Sequence, residues 1–496
     1  MLFYLASLQH VSPNTFIFSP LAFLTNRSII KRVGLETARH GRNGRKSMKE
    51  QATRMTEGSV WRHIVRFALP VFWGNLFQQL YNVVDSLVVG NFLGSDALAA
   101  VSSSGSLIFL FVGLFSGIFT GASVVISRYF GARDDENLSK AVHTTVAFGL
   151  VSGIAITIAG TLLSPQMLRW LGTPDNVMPN SLLYFRTYFY GAIFVVLYNT
   201  SNGIFQAVGD SKHPLYYLII SSATNVVLDI LFVAYFGMGV EGAALATVIS
   251  QAVSACLGLH RLMNADGFYR IYIKKIRFDL PMLKQVLTMG IPSGVQNSII
   301  AIANLVVQSS INVYGSMAMA GCGSYSKIEG FAFLPISSFA LALSTFIGQN
   351  LGAKEYERAK RGARFGVITC LILSECVGIV FNLLAPQLIG LFDSDPQVVA
   401  YGVQQARVIT LFYFLLAFSH AIAGVMRGAG CAIVPMVVML VCWCVIRVSY
   451  VTLIARASGD ISMVFWAYPI TWSLSSIAFL IYYTRADWVH YMDRKK

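Results

Sequence analysis

Charged side chains are scarce in this chain. Asp, Glu, Lys and Arg make up 12% of its 496 residues, whereas 55% of the residues are hydrophobic. A soluble globular protein usually carries about 25% charged residues. This shortage excludes an ordinary soluble enzyme and indicates a protein that crosses a membrane several times.

Paired cysteines are also lacking. The seven cysteines form no CxxC motif, and Cys442 and Cys444 would point to different faces of a helix. Neither a disulfide framework nor a structural zinc site is indicated, so we expect no metal or cofactor apart from a transported or coupling H+ or Na+. The sequence has no GxxxxGK[ST] phosphate loop, which argues against transport driven by ATP within this chain.

Half of the net charge of +14 lies in residues 1–54, a segment with nine Lys or Arg residues against Glu36 and Glu50. A basic tail outside the apolar runs does not indicate nucleic-acid binding. We expect residues 1–54 to be a disordered leader, because its polar second half cannot bury a core. The segment Met55-Thr56-Glu57-Gly58-Ser59, just before the first helix, is typical of the start of a protein, which suggests that translation begins near Met48 or Met55.

Long apolar runs make up most of the remaining sequence. A stretch of about 20 apolar residues is long enough to span a bilayer as a helix. We therefore predict an all-α, polytopic membrane protein with twelve transmembrane helices, at 61–91, 103–127, 141–164, 181–206, 214–236, 242–263, 282–313, 325–349, 362–384, 400–427, 433–455 and 462–484.

The loops between these runs differ in charge. The odd-numbered loops hold only Arg169 and Arg456, whereas the even-numbered loops and the C-terminal tail are rich in Lys and Arg. Basic residues in short loops stay on the cytoplasmic side. We therefore expect a multi-pass protein of the cell membrane with both termini in the cytoplasm.

The two halves of the sequence match at an offset of 221 to 222 residues. Leu69-Pro70 recurs as Ile291-Pro292, and Asn75 and Asn82 recur as Asn297 and Asn304. Two pseudo-symmetric six-helix lobes are predicted, residues 55–266 and 285–496, joined by a basic cytoplasmic linker at 267–284. Repeats with the same topology are related by an axis along the membrane normal, which favours a substrate site between the lobes and alternating access.

One face of the first helix carries polar groups. Asn75, Gln78, Asn82 and Asp85 follow one another at steps of three, four and three. An aspartate at mid-membrane costs at least about 2.5–3.5 kcal/mol, so it normally faces a bundle interior or a water-filled cavity. The stripe predicts a proton or cation site, and the competing interpretation is a structural aspartate satisfied by the neighbouring amides.

Other helices of the first half supply matching groups. Asn225 and Asp229 share a face of the fifth span, as Thr247 and Gln251 do on the sixth, and the fourth adds Asn199 and Asn202. Two carboxylates cannot both stay charged cheaply in a dry site, so we expect the group to hold a proton or a small hard cation. The residues do not decide between H+ and Na+.

The second half lacks these carboxylates. Val307 and Tyr450 stand at the positions of Asp85 and Asp229, which suggests that one lobe performs the coupling. Lys327 and Glu329 are interpreted as a pair at the membrane interface. The arginines within or near spans are interpreted as snorkelling or pairing residues rather than substrate ligands: Arg186, Arg407 and Arg447.

Four segments are informative together: FALPVFWGNLFQQLYNVVDSLVVGNFLGSDALAAV, YFGARDD, FQAVGDSKHP and TNVVLDILFVAYFGMGVEGAALATVIS. They resemble the multidrug and toxic compound extrusion (MATE) family, especially its prokaryotic DinF-like branch. The resemblance implies export of amphipathic or cationic small molecules against a proton or sodium gradient. It also implies helix bending at Pro70, a coupling site of Asp85, Asp229, Asn225 and Thr247, and an adjoining cavity near Gln78, Tyr81, Asn82, Asn202 and Gln251.

Two competing hypotheses stay open. A flippase for lipid-linked precursors, from the related superfamily, would need a more cationic central cavity than this chain suggests. A membrane transferase would need a carboxylate metal motif, and Asp134-Asp135 lies in a basic loop where it is interpreted as a solvated cluster. We expect the protein to act on small molecules in a lipid bilayer as a monomer, without nucleic acid.

Overall fold

The computed structural model describes residues 54–93, 95–170, 173–175 and 177–494, which form helices joined by short connections. The predictions for residues 1–53 lie outside this part of the chain. In chain order the helices are α1 (Val60–Leu93), α2 (Ser95–Ala132), α3 (Asp135–Trp170), α4 (Met178–Tyr190 and Ala192–Ala207), α5 (Lys212–Tyr235), α6 (Gly239–Met263), α7 (Leu280–Asn312), α8 (Ser316–Gly352), α9 (Tyr356–Leu383), α10 (Pro396–Gly428), α11 (Ile433–Ala455) and α12 (Ile461–Arg485).

Each predicted span corresponds to one of these helices, which confirms the all-α membrane fold. Ten of the described helices are long and apolar enough to cross a membrane, and the two segments of α4, bent by 49°, qualify together as an eleventh. The twelfth, α1, has 34 residues, or about 51 Å at a rise of 1.5 Å per residue. Its polar residues include Asn75, Gln78, Asn82 and Asp85.

Local departures from α-helix occur in both lobes. Pro70 lies inside α1 and Pro292 inside α7, and both helices continue through them although proline cannot donate a backbone hydrogen bond. Bending at Pro70 therefore stays a prediction. π-Helical turns, which insert an extra residue, occur at Ile230–Tyr235 in α5 and at Leu440–Ile446 and Val451–Ala455 in α11.

The lobes meet where α2 crosses α7. A Cβ atom on Gly117 would lie 2.4 Å from the Cα of Gly294, and one on Gly121 would lie 2.3 Å from the Cα of Gly290. Glycine at these positions lets the two backbones touch, as at other membrane helix crossings. Asn297 donates a hydrogen bond from Nδ2 to the Gly113 carbonyl at 3.2 Å across the same crossing.

The segment before α1 is held by the other lobe. Arg358 of α9 donates to the backbone carbonyls of Met55, Glu57 and Gly58. Gln349 of α8 accepts from the Met55 N–H at 2.9 Å and donates to the Ala207 carbonyl at 2.8 Å. The end of the bundle where α1 begins is thus closed by contacts between the lobes.

The segment before α7 is held in the corresponding way by the N-terminal lobe. His143 of α3 accepts a hydrogen bond through Nε2 from the Tyr272 N–H at 3.0 Å. Thr144, also on α3, accepts from the Asp279 N–H at 3.3 Å. Each lobe therefore forms hydrogen bonds with the segment that leads into the first helix of the other lobe.

Candidate functional site

The two predicted carboxylates of the N-terminal lobe come together. Asp85 projects from α1 and Asp229 from α5, and their carboxyl groups lie close enough to interact electrostatically. Asp229 is 0% exposed and Asn225, one helical turn earlier on α5, is 1% exposed, while Asp85 is half-buried. The helical spacings seen in the sequence do converge on one place.

This pair of carboxyl groups lacks donors. Both oxygens of Asp229 and Oδ1 of Asp85 receive no hydrogen bond from the residues that the structure describes. An ionised carboxylate only accepts hydrogen bonds, so the two groups can bond to each other only by sharing a proton. Because a buried unpaired charge is costly, the site needs a proton or a cation to be stable.

The surrounding amides and hydroxyls leave more oxygen atoms open. Asn225 donates from Nδ2 to the Thr247 hydroxyl at 3.4 Å, and Thr247 donates to the Ala243 carbonyl at 3.1 Å. Tyr81 lies close to Thr247. Within the described residues, Oδ1 of Asn225 and Oε1 of Gln251 accept no hydrogen bond. Carboxylate and amide oxygens are the ligands that a hard cation prefers.

Two tyrosines of α4 belong to the same neighbourhood. Tyr184 and Tyr188 lie close enough to Tyr81 to interact electrostatically, and Tyr184 also does so with Asp85 and Asp229. Sequence reasoning did not single out either tyrosine. Their spacing of four residues, which puts both on one helix face, was the available signal.

A cavity of about 320 Å³ lies beside α1, at the lower end of the range of about 300–1,000 Å³ for small-molecule sites. Gln206 donates to Asn202 at 3.2 Å in its wall. None of the described residues that line the cavity is charged. Its polar lining consists of the amides and hydroxyls of Asn75, Gln78, Ser116, Thr120, Tyr198, Asn199, Asn202, Gln206 and Ser211.

The predicted cavity residues divide between two places. Gln78 and Asn202 line the cavity, as Pro70 does, whereas Tyr81 and Gln251 are not among its lining residues. Tyr81 lies beside Thr247 instead, and Asn82 is on an exposed face of α1. Gln78 precedes Asp85 by seven residues, or about 10 Å along the helix, so cavity and carboxylates are neighbours on α1.

Known proteins match both halves of this chain. The MatE family model matches residues 70–231 and 292–453, once in each half. The probable multidrug resistance protein YoeA of Bacillus subtilis strain 168 is 30% identical over 434 residues, which cover 86% of this chain and 94% of that protein. The probable multidrug resistance protein NorM of Thermotoga maritima is 24% identical over 387 residues, covering 77% and 83% of the two chains.

Solved structures share the architecture. A MOP superfamily transporter from Pyrococcus furiosus superposes with a TM-score of 0.82 at 25% identity, covering 88% of this chain and 97% of that one. A multidrug resistance MATE family transporter in an outward-facing conformation superposes with a TM-score of 0.83 at 24% identity, covering 88% and 97%. The resemblance seen in the sequence is confirmed: the chain belongs to the MatE family, whose members are membrane transporters and not enzymes.

Proposed function

We propose that this protein is an antiporter that uses H+ or Na+ to export amphipathic or cationic small molecules by alternating access. It acts in the cell membrane, with both termini in the cytoplasm. The observation that carries this proposal is the Asp85–Asp229 pair, which lacks donors and adjoins an uncharged cavity. The names of the bacterial relatives, probable multidrug resistance proteins, support the substrate class.

The carboxyl pair can link ion binding to a change of conformation. With a proton or cation bound, the charge of the pair is reduced and the buried site is stable. Without it, the repulsion of two buried charges favours any arrangement of the lobes that hydrates or separates them. A ligand shifts a conformational equilibrium only by its differential affinity for the two states, and here that difference arises from the charge of the pair.

The cavity is suited to amphipathic molecules. Gln78, Asn199 and Asn202 offer both donors and acceptors, and Phe119 and Tyr198 add aromatic surface that can face an organic cation. All the groups invoked for coupling lie on α1, α4, α5 and α6, within one lobe, so a monomer suffices. The absence of Lys and Arg from the described cavity lining argues against the alternative of a flippase for lipid-linked precursors, whose headgroups are anionic.

Dye efflux from proteoliposomes tests the proposal. Proteoliposomes that contain the wild type, Asp85→Asn or Glu241→Gln are loaded with a cationic dye, and a proton or sodium gradient is imposed across their membranes. Glu241 is an exposed carboxylate in the first turn of α6 and serves as the matched control. We expect one gradient to drive efflux by the wild type and the control, and Asp85→Asn to lose that response.

Two results would count against the proposal. Equal gradient-driven efflux by Asp85→Asn and the wild type would remove Asp85 from coupling. A wild type that moves no dye under either gradient would favour the flippase, which can then be tested with fluorescent lipid-linked anions.

A further inference from the structure

Arg447 occupies a distinctive position in the internal repeat. Pro214 and Pro435, near the starts of α5 and α11, correspond at an offset of 221 residues. The π-helical turn Leu440–Ile446 then inserts an extra residue in α11. Arg447 therefore stands in the C-terminal lobe where Asn225 stands in the N-terminal lobe.

Arg447 is held by helices that correspond to those of the candidate coupling site. Arg447 is 1% exposed, so it is not a snorkelling residue, and its hydrogen-bond partners are neutral groups. Nε and Nη2 donate to the Thr471 hydroxyl at 3.1 and 2.9 Å, and Nη1 donates to Asn304 at 3.4 Å. Asn304 is the repeat of Asn82, and Thr471 lies on the last helix of the lobe, as Thr247 does.

Aromatic rings complete the surroundings of the guanidinium group. Its Cζ lies 4.6 Å from the ring centroid of Tyr468 and 5.3 Å from that of Trp443. A cation over an aromatic face is stabilised, more so where water is excluded. The C-terminal lobe has thus built a cation site from α7, α11 and α12, the equivalents of α1, α5 and α6, and has filled it with its own side chain.

The carboxylates of the N-terminal lobe have no equivalent at this place. Val307 and Val451, buried and apolar, stand at the positions of Asp85 and Asp229. The carboxylate that interacts electrostatically with Arg447 comes from α8 and is Glu329. The described ion pairs include neither Glu329 nor Arg447, so these two groups interact without a direct contact. Lys327 lies over the Phe392 ring at 5.4 Å. The predicted pairing of Lys327 with Glu329 is therefore wrong.

We propose that Arg447 is a tethered cation, which takes in the C-terminal lobe the place of the exchangeable coupling ion and supplies the positive charge for Glu329. This inference rests on the proposed function for its consequence, that ion exchange is confined to Asp85 and Asp229. A guanidinium group is always charged and cannot leave the chain. The charge of Arg447 beside Glu329 is therefore independent of pH and sodium.

Charge neutralisation in pairs gives a direct test. Removing one partner of a buried charge pair leaves an unpaired charge, whereas removing both leaves none. We expect Arg447→Gln and Glu329→Gln each to lower gradient-driven dye efflux about tenfold, and the double variant to recover to within about threefold of the wild type. Arg427→Gln is the matched control: Arg427 is a half-buried arginine of α10 that donates to Gln296, and Glu329→Gln should not rescue it.

The pH profile separates a charge role from a packing role. In Arg447→Gln, Glu329 lacks its tethered cation and needs an exchangeable one. Efflux by this variant should therefore recover as the pH is lowered, a response absent from the double variant. The other titratable groups facing Glu329 are Tyr325 on its own helix, Tyr413 of α10 and Tyr468 of α12, and Cys444 faces Arg447. Tyr and Cys are neutral in acid, so they cannot produce this recovery.

A measurement without transport keeps this inference distinct from the proposed function. The thermal unfolding midpoint of the purified protein should fall in each single variant, recover in the double variant, and rise for Arg447→Gln as the pH falls. If the wild type moves no dye, the proposed function fails while the unfolding series still decides the role of Arg447. A double variant no better than the worse single variant, or an unchanged pH response in Arg447→Gln, would overturn the tethered cation.

Discussion

The two lobes carry the same six helices in the same order, yet they treat buried charge in opposite ways. In the N-terminal lobe, Asp85 and Asp229 lie together without donors from the described residues. In the C-terminal lobe the same two positions are valines, and Arg447 is fixed by Thr471 and Asn304. One lobe leaves its charge uncompensated, whereas the other compensates charge from within the chain.

This contrast indicates how two repeats with the same helices can take different roles in one protein. A site that must bind and release an ion needs carboxylates without permanent partners, because a carboxylate that is already paired gains little from binding a proton. A lobe that serves as the rigid counterpart benefits from permanent internal pairing. The repeat preserves the helices and the glycine contacts between α2 and α7, while the few polar residues near the centre of each lobe differ.

The largest effect should follow from neutralising the N-terminal site. We expect Asp229→Asn to lower gradient-driven efflux by about 10- to 100-fold, the range typical of a lost coupling free energy. Val451→Ala, at the equivalent place in α11, should leave the response to the gradient intact. Efflux assays of both variants at matched reconstitution levels provide the measurement, and an equal loss in both would mean that coupling is shared between the lobes.

Much of this arrangement was visible in the sequence. The twelve spans were predicted because apolar runs of about 20 residues, separated by basic loops, are typical of transmembrane helices. Helical spacing put Asn225 and Asp229 on one face of α5, whereas the meeting of Asp85 with Asp229, Asn225 and Thr247 was implied by the resemblance to the MATE family. Asn82 is the exception in the polar stripe: it lies within about 20° of Asn75 around the helix, yet it is exposed.

Other features depended on local irregularities that residue patterns do not reveal. The π-helical turn Leu440–Ile446 shifts the register of α11 by one residue, so that Tyr450 rather than Val451 appeared to match Asp229 and the place of Arg447 went unnoticed. The 49° bend between the two segments of α4 could not be predicted either. Tyr184 and Tyr188 were missed because packing partners of an aromatic ring are set by tertiary structure.

A smaller difference, in the free energy of unfolding, is expected between the contacts that hold the segments before α1 and α7. Arg358 holds the segment before α1 with charged donors, whereas Thr144 holds the segment before α7 with one neutral hydrogen bond. Hydrogen bonds to charged groups contribute more, so Arg358→Gln should lower the free energy of unfolding by about 3 kcal/mol and Thr144→Val by about 1 kcal/mol.

Hydrogen exchange locates these effects. Arg358→Gln should increase amide exchange in residues 55–58, and Thr144→Val should increase it near Asp279, with little change at the other segment in each case. Equal destabilisation by the two variants would mean that the contacts are energetically symmetric, contrary to the charge difference between them.

The smallest effect is expected at a carboxylate outside the membrane-spanning helices. Asp487, after α12, pairs with His490 at 2.9 Å and with Arg494, and the hydrogen bond from His490 holds its pKa below the ordinary value of 3.8. A carboxyl group with a lowered pKa stabilises the fold above about pH 4 and loses that contribution as the pH falls through the lowered value. Asp487→Asn should therefore lower the unfolding midpoint slightly at neutral pH and not at all in strong acid.

Transport by Asp487→Asn should stay within about twofold of the wild type, because exposed ion pairs contribute little. The comparison with Asp85→Asn then separates the effect of the environment on efflux from the effect of the residue type. Both are aspartates whose carboxyl groups face another titratable side chain, but Asp487 keeps its charge in water with permanent partners, whereas Asp85 faces a buried carboxylate across a site without donors. A loss of gradient-driven efflux in Asp487→Asn comparable to that in Asp85→Asn would show that burial and missing donors do not decide which carboxylate couples.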